Sequence, residues 1–139
     1  MSYLLDSNVV SELRKRERAD PHVRQWFADV EDADLFLSVL TFGEIRRGIE
    51  LIHRRDRARA LILNRWFDAL VAGYDTRTLT VDRRVAEEWG QLNAITTVPA
   101  IDGLLAATAK VHGLTLVTRN TKDVARTGVE YLNPFLPAA

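Results

Sequence analysis

Tyr3-Leu4-Leu5-Asp6-Ser7-Asn8 is the stretch on which the fold turns. The short apolar run Tyr3-Leu4-Leu5 predicts a buried strand, and the Asp-Ser-Asn triplet behind it offers side chains that cap a helix running to about Arg14. A strand that passes straight into a helix is the opening of an α/β chain. Moving outward, Asp20-Pro21 supplies an N-cap with proline at the first helical position, and Val23, Trp26, Phe27 and Val30 recur behind it at helical spacing. Leu35-Phe36-Leu37-Ser38-Val39 is strongly apolar, as a strand covered by helices on both faces should be.

Thr41-Phe42-Gly43-Glu44 has capping-box spacing and predicts the start of a third helix, with Phe42, Ile45, Ile49 and Ile52 on its inner face. A fourth helix, Asp56 to about Ala72, is expected to pack antiparallel to it as a hairpin. Thr78-Leu79-Thr80-Val81 reads as a brief strand, and Asp82 caps a helix carrying Val85, Ala86, Trp89 and Leu92. Pro99-Ala100-Ile101-Asp102 opens a helix that runs to about His112 and closes at Gly113. Leu114–Val117 and a segment near Val129–Leu132 complete the strands. The alternation predicts an α/β chain, a three-layer α/β/α sandwich with a mainly parallel central sheet, in a single domain over residues 1–139.

Composition narrows the chemistry. With 47% hydrophobic residues in 139, the chain can bury one core. Nineteen basic and nineteen acidic residues cancel, so only local clusters can direct the protein toward nucleic acid. The absence of cysteine excludes disulfides and thiolate metal sites, leaving carboxylates, carbonyls and three histidines, a set that favours Mg²⁺ or Mn²⁺. His22, His53 and His112 fall on separate expected helices without ligand spacing and read as surface or packing residues. No Gly-rich phosphate loop is present, and Ser7, Ser11 and Ser38 lack a nucleophile-elbow context, which argues against nucleotide and serine hydrolases. The first residues lack a signal-peptide pattern and no stretch reaches membrane-spanning length, so a soluble cytoplasmic protein without a membrane partner is expected.

In an open parallel sheet, ligands bind beyond the carboxyl ends of the strands. Asp6 follows the first strand, and Asn120 and Asp123 follow the strand ending at Val117. Glu44 and Asp102 stand in first turns of helices expected to begin at that edge. Each has a local role available: Asp6 as a cap, Glu44 as capping-box partner of Thr41, Asp102 as complement to a helix dipole, Asn120 and Asp123 as turn residues. None of those roles accounts for several acids at one rim. Gathered together, Asp6, Glu44, Asp102 and Asp123 would repel one another unless a divalent cation neutralised them. These four are therefore the candidate catalytic residues, and with Asn120 the candidate metal ligands, for a reaction expected to be phosphodiester hydrolysis. Arg46, Arg47 and Arg119 are candidate RNA-backbone contacts, with further basic residues at Arg54 to Arg59 and at Arg14 to Arg18.

Four blocks of sequence carry a family resemblance: Leu4–Glu12, Leu37–Gly48, Ile101–Ala109, and Leu116–Asp123 followed by Asn133-Pro134-Phe135. Taken in this order over almost the whole length, they make the chain similar to VapC-type PIN domains, within the FitB-like branch. The resemblance implies a metal-dependent endoribonuclease, the toxin component of a type II toxin–antitoxin system. It places Asp6, Glu44 and Asp102 at the acidic metal positions and leaves the fourth to Asn120 or Asp123, because Asn120 stands where certain members carry aspartate. It also implies a homodimer, a cognate VapB/FitA-like antitoxin, and contact with DNA only through that antitoxin. The hairpin from Thr41 to Ala72, with Phe42, Trp66 and Phe67, is the expected antitoxin surface. Two alternatives stand beside this reading. One is a non-catalytic PIN-like module that binds RNA or acts as antitoxin corepressor; the other is a phospho-acceptor domain using Asp6.

Overall fold

Leu4 and Leu5 are neighbours in the chain and belong to different cores. Successive side chains on a strand point to opposite faces, so a strand with two apolar neighbours must be covered on both sides. A computed structural model describes residues 1–138; Ala139, the last residue of the expected domain, lies outside the described residues. Five strands, β1 (Tyr3–Leu5), β2 (Leu35–Ser38), β3 (Thr78–Leu79), β4 (Thr115–Val117) and β5 (Tyr131–Leu132), form one sheet in the order β3-β2-β1-β4-β5. Every pairing is parallel.

Seven α-helices cover the sheet: α1 (Ser7–Leu13), α2 (Pro21–Asp29), α3 (Val39–His53), α4 (Arg57–Gly73), α5 (Arg83–Ile95), α6 (Ala100–His112) and α7 (Thr121–Ala125). On one face Leu4, Phe36 and Leu116 meet Val85, Leu92, Leu105 and Val124 of α5, α6 and α7. On the other, Leu5, Leu35, Leu37 and Val117 meet Val9, Ile45, Ile49, Leu63 and Phe67 of α1, α3 and α4. Each fully buried aliphatic side chain contributes about 1.5–3 kcal/mol, so the two cores together hold the three layers in place. The sandwich is the one the alternating pattern predicts.

Three local differences from the sequence expectations have physical causes. The third helix starts at Val39 because Ser38 takes the cap, its hydroxyl accepting from the Leu40 amide at 3.0 Å. Thr41 is then an interior helical residue whose hydroxyl faces the Leu5 carbonyl at 3.5 Å, so Glu44 has no capping box to complete. α7 was legible only as a turn, being five residues long. Phe67, named with the hairpin expected to meet the antitoxin, is 8% exposed and packs edge-on against the partly buried Phe42.

The chain runs from β1 outward through β2 to β3, then returns to the other side of β1 for β4 and β5. The strand order therefore reverses between β1 and β4, and a crevice opens beyond their carboxyl ends. Gly113, at φ 65°, closes α6 in the left-handed conformation that glycine adopts without Cβ strain and delivers the chain into β4. Among the described residues no single helix is long and apolar enough to cross a membrane.

Candidate active site

Asp6 leaves β1 at the reversal point. Its backbone amide continues the sheet by donating to the Val117 carbonyl at 2.9 Å, and its carboxylate caps α1 by accepting from the Ser7 amide at 2.7 Å. The cap role foreseen for Asp6 is real, and it does not exhaust the side chain. The second carboxylate oxygen accepts from the Thr118 hydroxyl at 2.7 Å and from the Asn8 amide nitrogen at 3.2 Å. Asp6 is only 5% exposed, so these donors supply what water otherwise would.

The other acids arrive on three helices. Glu44 is in the second turn of α3, and its Oε1 accepts from Ser7 Oγ at 2.9 Å. Asp102 stands in the first turn of α6, and its Oδ2 accepts from Asn120 Nδ2 at 3.0 Å. Asn120 in turn donates its backbone amide to Thr118 Oγ1 at 3.0 Å. Asp123 follows in the first turn of α7, close enough for its charge to raise the pKa of Asp102. Neutral donors thus tie the acids into one cluster: Glu44 to Ser7, Ser7 to Asp6, Asp6 to Thr118, Thr118 to Asn120, and Asn120 to Asp102.

Crowding shows in the titration of two members. Burial lifts Glu44 above the ordinary carboxylate range and the charges of Asp6 and Asp102 add to it, against the Ser7 hydrogen bond. Burial likewise lifts Asp102, with Asp6 and Asp123 adding to it and the Asn120 hydrogen bond opposing. Both lifts are the signature of like charges held near one another out of bulk water.

All five candidate ligands present oxygen, and four of them are acids, the donor chemistry of a hard divalent cation. Their spacing is looser than their chemistry: among the described residues no group of three or more His, Cys, Asp or Glu stands in metal-holding geometry. Ser7, Thr118 and Asn120 are interleaved between the carboxylates and hold them apart. Ser7, Thr118 and Asn8 are the site residues that sequence reading did not single out as such, while Asn120, expected as a metal ligand, also links Thr118 to Asp102. The triplet Asp6-Ser7-Asn8 and the residue following β4 were the available signals.

The basic candidates divide. Arg46 is taken up by the α3–α4 hairpin, donating to Asn64 Oδ1 at 2.6 Å with its guanidinium 4.8 Å from the centre of the Phe67 ring. Arg46 thus has a packing role in the hairpin, with its side chain still 40% exposed. Arg47 is exposed on α3. Arg119 leaves β4 beside the acids, its amide donating to Asn8 Oδ1 at 3.2 Å and its guanidinium stacked 4.6 Å from the Phe135 ring centre. His22, His53 and His112 are exposed and outside the cluster.

Comparison with known proteins follows from this geometry. The PIN domain family matches residues 3–129. The chain is 31% identical to Toxin FitB of Neisseria gonorrhoeae over 137 residues, covering 95% of this chain and 97% of that protein. It is also 31% identical to VapC ribonuclease Y4jK of Sinorhizobium fredii over 140 residues, covering 97% and 99%. In three dimensions it resembles the structure of FitAB bound to an IR36 DNA fragment, with a TM-score of 0.88, 29% identity, and coverage of 99% and 98%. A similar likeness, TM-score 0.86 at 30% identity, covering 96% and 98%, relates it to FitAcB from Neisseria gonorrhoeae.

Proposed function

The chain belongs to the PIN domain family, and from that premise we propose that it is the ribonuclease toxin of a toxin–antitoxin pair, cutting RNA internally at the Asp6-centred cluster with a divalent cation. The observation that carries the proposal is the cluster itself. Asp6, Glu44 and Asp102 come from three separate elements at the strand-order reversal, where burial first and neighbouring acidic charges second raise the proton affinity of Glu44 and Asp102. A structural role would not require acids to be crowded there at the expense of stability.

Asp6, Glu44 and Asp102 would hold Mg²⁺ or Mn²⁺, with Asn120 or Asp123 completing the set. When bound, the cation supplies Lewis-acid stabilisation of the phosphoryl group and lowers the pKa of an attacking water. The protein's own part is positioning. Ser7 orients Glu44, Thr118 orients Asp6, and Asn120 orients Asp102. Glu44, held by Ser7 through Oε1, has its other carboxylate oxygen available to take a proton from water beside the scissile phosphate. Arg119, braced by Phe135, is placed to meet an adjacent backbone phosphate.

The partner is a cognate antitoxin of the kind bound in the FitAB and VapBC complexes, with DNA reached through it, and the working unit is a homodimer formed by the one PIN-like domain. The test is cleavage of total cellular RNA by the purified chain with Mg²⁺ or Mn²⁺, with EDTA, and with folded Asp6→Asn. Discrete fragments that need both the metal and Asp6 support the reading. Fragments that persist in Asp6→Asn reject the site, and metal-independent RNA binding without cleavage would favour a non-catalytic module.

A further inference from the structure

A pocket of about 260 Å³ opens beside the acids, between α1, α3 and α4. Its lining includes Ser7, Asn8 and Glu44 of the acidic site together with Arg14, Arg59 and Trp66. We propose that this pocket seats one nucleotide of the RNA next to the scissile bond, its base against Trp66 and its phosphate on Arg14 and Arg59. The proposal rests on the ribonuclease reading and extends it to how the substrate is gripped.

Three observations point to a nucleotide. First, Arg14 and Arg59 form no salt bridge among the described residues, so two guanidinium groups without an ion-pair partner line a pocket that Glu44 of the acidic cluster also lines. A polyanion bridging a cation at the acids would place its next phosphate toward them. Second, Arg14 lies over the Trp66 ring, 5.9 Å from its centre, so the two side chains together give the pocket one cationic and aromatic wall of the kind against which unpaired bases pack. Third, the floor is apolar, built by Ile45, Ile49 and Leu63, and suits the face of a base. The volume falls just under the roughly 300 Å³ at which drug-sized pockets begin, room for one nucleotide and not for a folded helix.

Gly48 supplies the means to test it. It lines the pocket from within α3, and a Cβ added there would meet no atom within 4 Å. A larger residue at this position therefore grows into the pocket, and its helix propensity exceeds that of glycine. The experiment first maps the bond that the wild-type chain cuts in cellular RNA with Mn²⁺. An oligoribonucleotide spanning that bond is then compared with copies carrying one abasic position on either side of it.

The wild type is expected to lose about tenfold in kcat/KM on one of the abasic copies. Gly48→Val is expected to show the same loss on the intact copy and none further on the abasic one, with an unfolding midpoint no lower than wild type. Arg14→Gln, which leaves α3 untouched, should weaken binding of the intact copy to the metal-free chain, read by fluorescence anisotropy. Wild-type cleavage and binding in both variants overturns the subsite while leaving the nuclease standing. Loss of antitoxin binding in Gly48→Val with RNA cleavage unchanged assigns the pocket to the protein partner and also overturns it. If the wild type cuts no RNA, the ribonuclease reading fails and the subsite with it.

Discussion

Thr118 Oγ1 and Asp6 Oδ2 meet at 2.7 Å across 112 residues of sequence, joining the ends of β4 and β1. Thr118 is completely buried, and the same hydroxyl accepts from the Asn8 side chain at 3.3 Å and the Asn120 amide at 3.0 Å. One side chain thereby links the acid on β1 to the segment that orients Asp102.

Thr118→Val keeps the shape and removes the hydrogen-bonding oxygen. Asp6 would lose a buried donor, and Asn8 and the Asn120 amide a part-buried acceptor. The expected cost is about 1–3 kcal/mol of stability, read by urea unfolding, together with a loss of RNA cleavage. Thr118→Ser should recover most of both. Cleavage at the wild-type rate in Thr118→Val would show that Asp6 needs no such brace.

Glu44 and Asp102 make the stability of the protein depend on pH and metal in opposite senses. A carboxyl whose folded pKa is raised binds more protons folded than unfolded, so stability is lost as pH rises from the unfolded value through the raised folded one. In EDTA the protein should therefore be less stable at neutral pH than at the foot of that window, as far as these two groups are concerned. If the proposed function holds, Mn²⁺ is expected to reverse the trend, because a cation bound to the deprotonated acids would stabilise the folded state by about 2.7 kcal/mol at a hundred times its Kd. Glu44→Gln can still accept from Ser7 and removes one charge. It should raise metal-free stability by about 0.5–2 kcal/mol, abolish cleavage, and blunt the gain from Mn²⁺. A variant that is less stable than wild type in EDTA would contradict the crowding argument.

The layers were legible in the sequence because their signals are local. Apolar runs at Leu35 and Leu116, the caps at Asp20 and Asp82, and Gly113 each act within a turn of chain, and the elements they mark fall within a few residues of their expected places. Ser38 and Thr41 show where local signals compete: both can cap a helix, and the choice depends on Thr41 being drawn beneath β1 to face the Leu5 carbonyl. The acids could be listed from their positions after strands. Their linkers could not, since Ser7 reaches Glu44 over 37 residues and Asn120 reaches Asp102 over 18. Nothing near Arg46 in sequence shows that Asn64 and Phe67 also engage it.

Arg46 and Arg119 should separate packing from RNA contact. Arg46→Ala removes the bond to Asn64 and the contact with Phe67, and is expected to lower stability by about 1 kcal/mol while leaving the salt dependence of RNA binding unchanged. Arg119→Ala should leave stability nearly intact, weaken binding across RNA sequences, and reduce the slope of log affinity against log salt by roughly 0.7–0.9. Measuring both slopes in titrations from low to moderate salt decides the matter. A reduced slope in Arg46→Ala would return that residue to the RNA surface.

Gly103 sets how closely α6 approaches α5, and so where Asp102 stands. A Cβ at this position would lie 3.0 Å from Trp89 Cδ1, 3.1 Å from Trp89 Nε1 and 3.2 Å from Val98 Cγ2, and Trp89 is a bulky ring wedged into the core edge. Alanine elsewhere in a helix is favoured over glycine by about 0.8–1.0 kcal/mol, and at the exposed Gly90 of α5, where an added Cβ meets nothing, Gly90→Ala should show that gain. At Gly103 the crowding outweighs it, since overpacking typically costs about 1–3 kcal/mol. Relief comes from α6 backing away from α5, and the adjacent Asp102 moves with it, out of register with Asn120. Gly103→Ala is therefore expected to unfold at lower urea than wild type and to lose cleavage activity beyond what its stability explains. Pairing it with Trp89→Phe, a smaller ring, should restore stability first and activity with it. If Gly103→Ala instead matches Gly90→Ala in stability, Trp89 yields freely and the spacing of the two helices does not govern the position of Asp102.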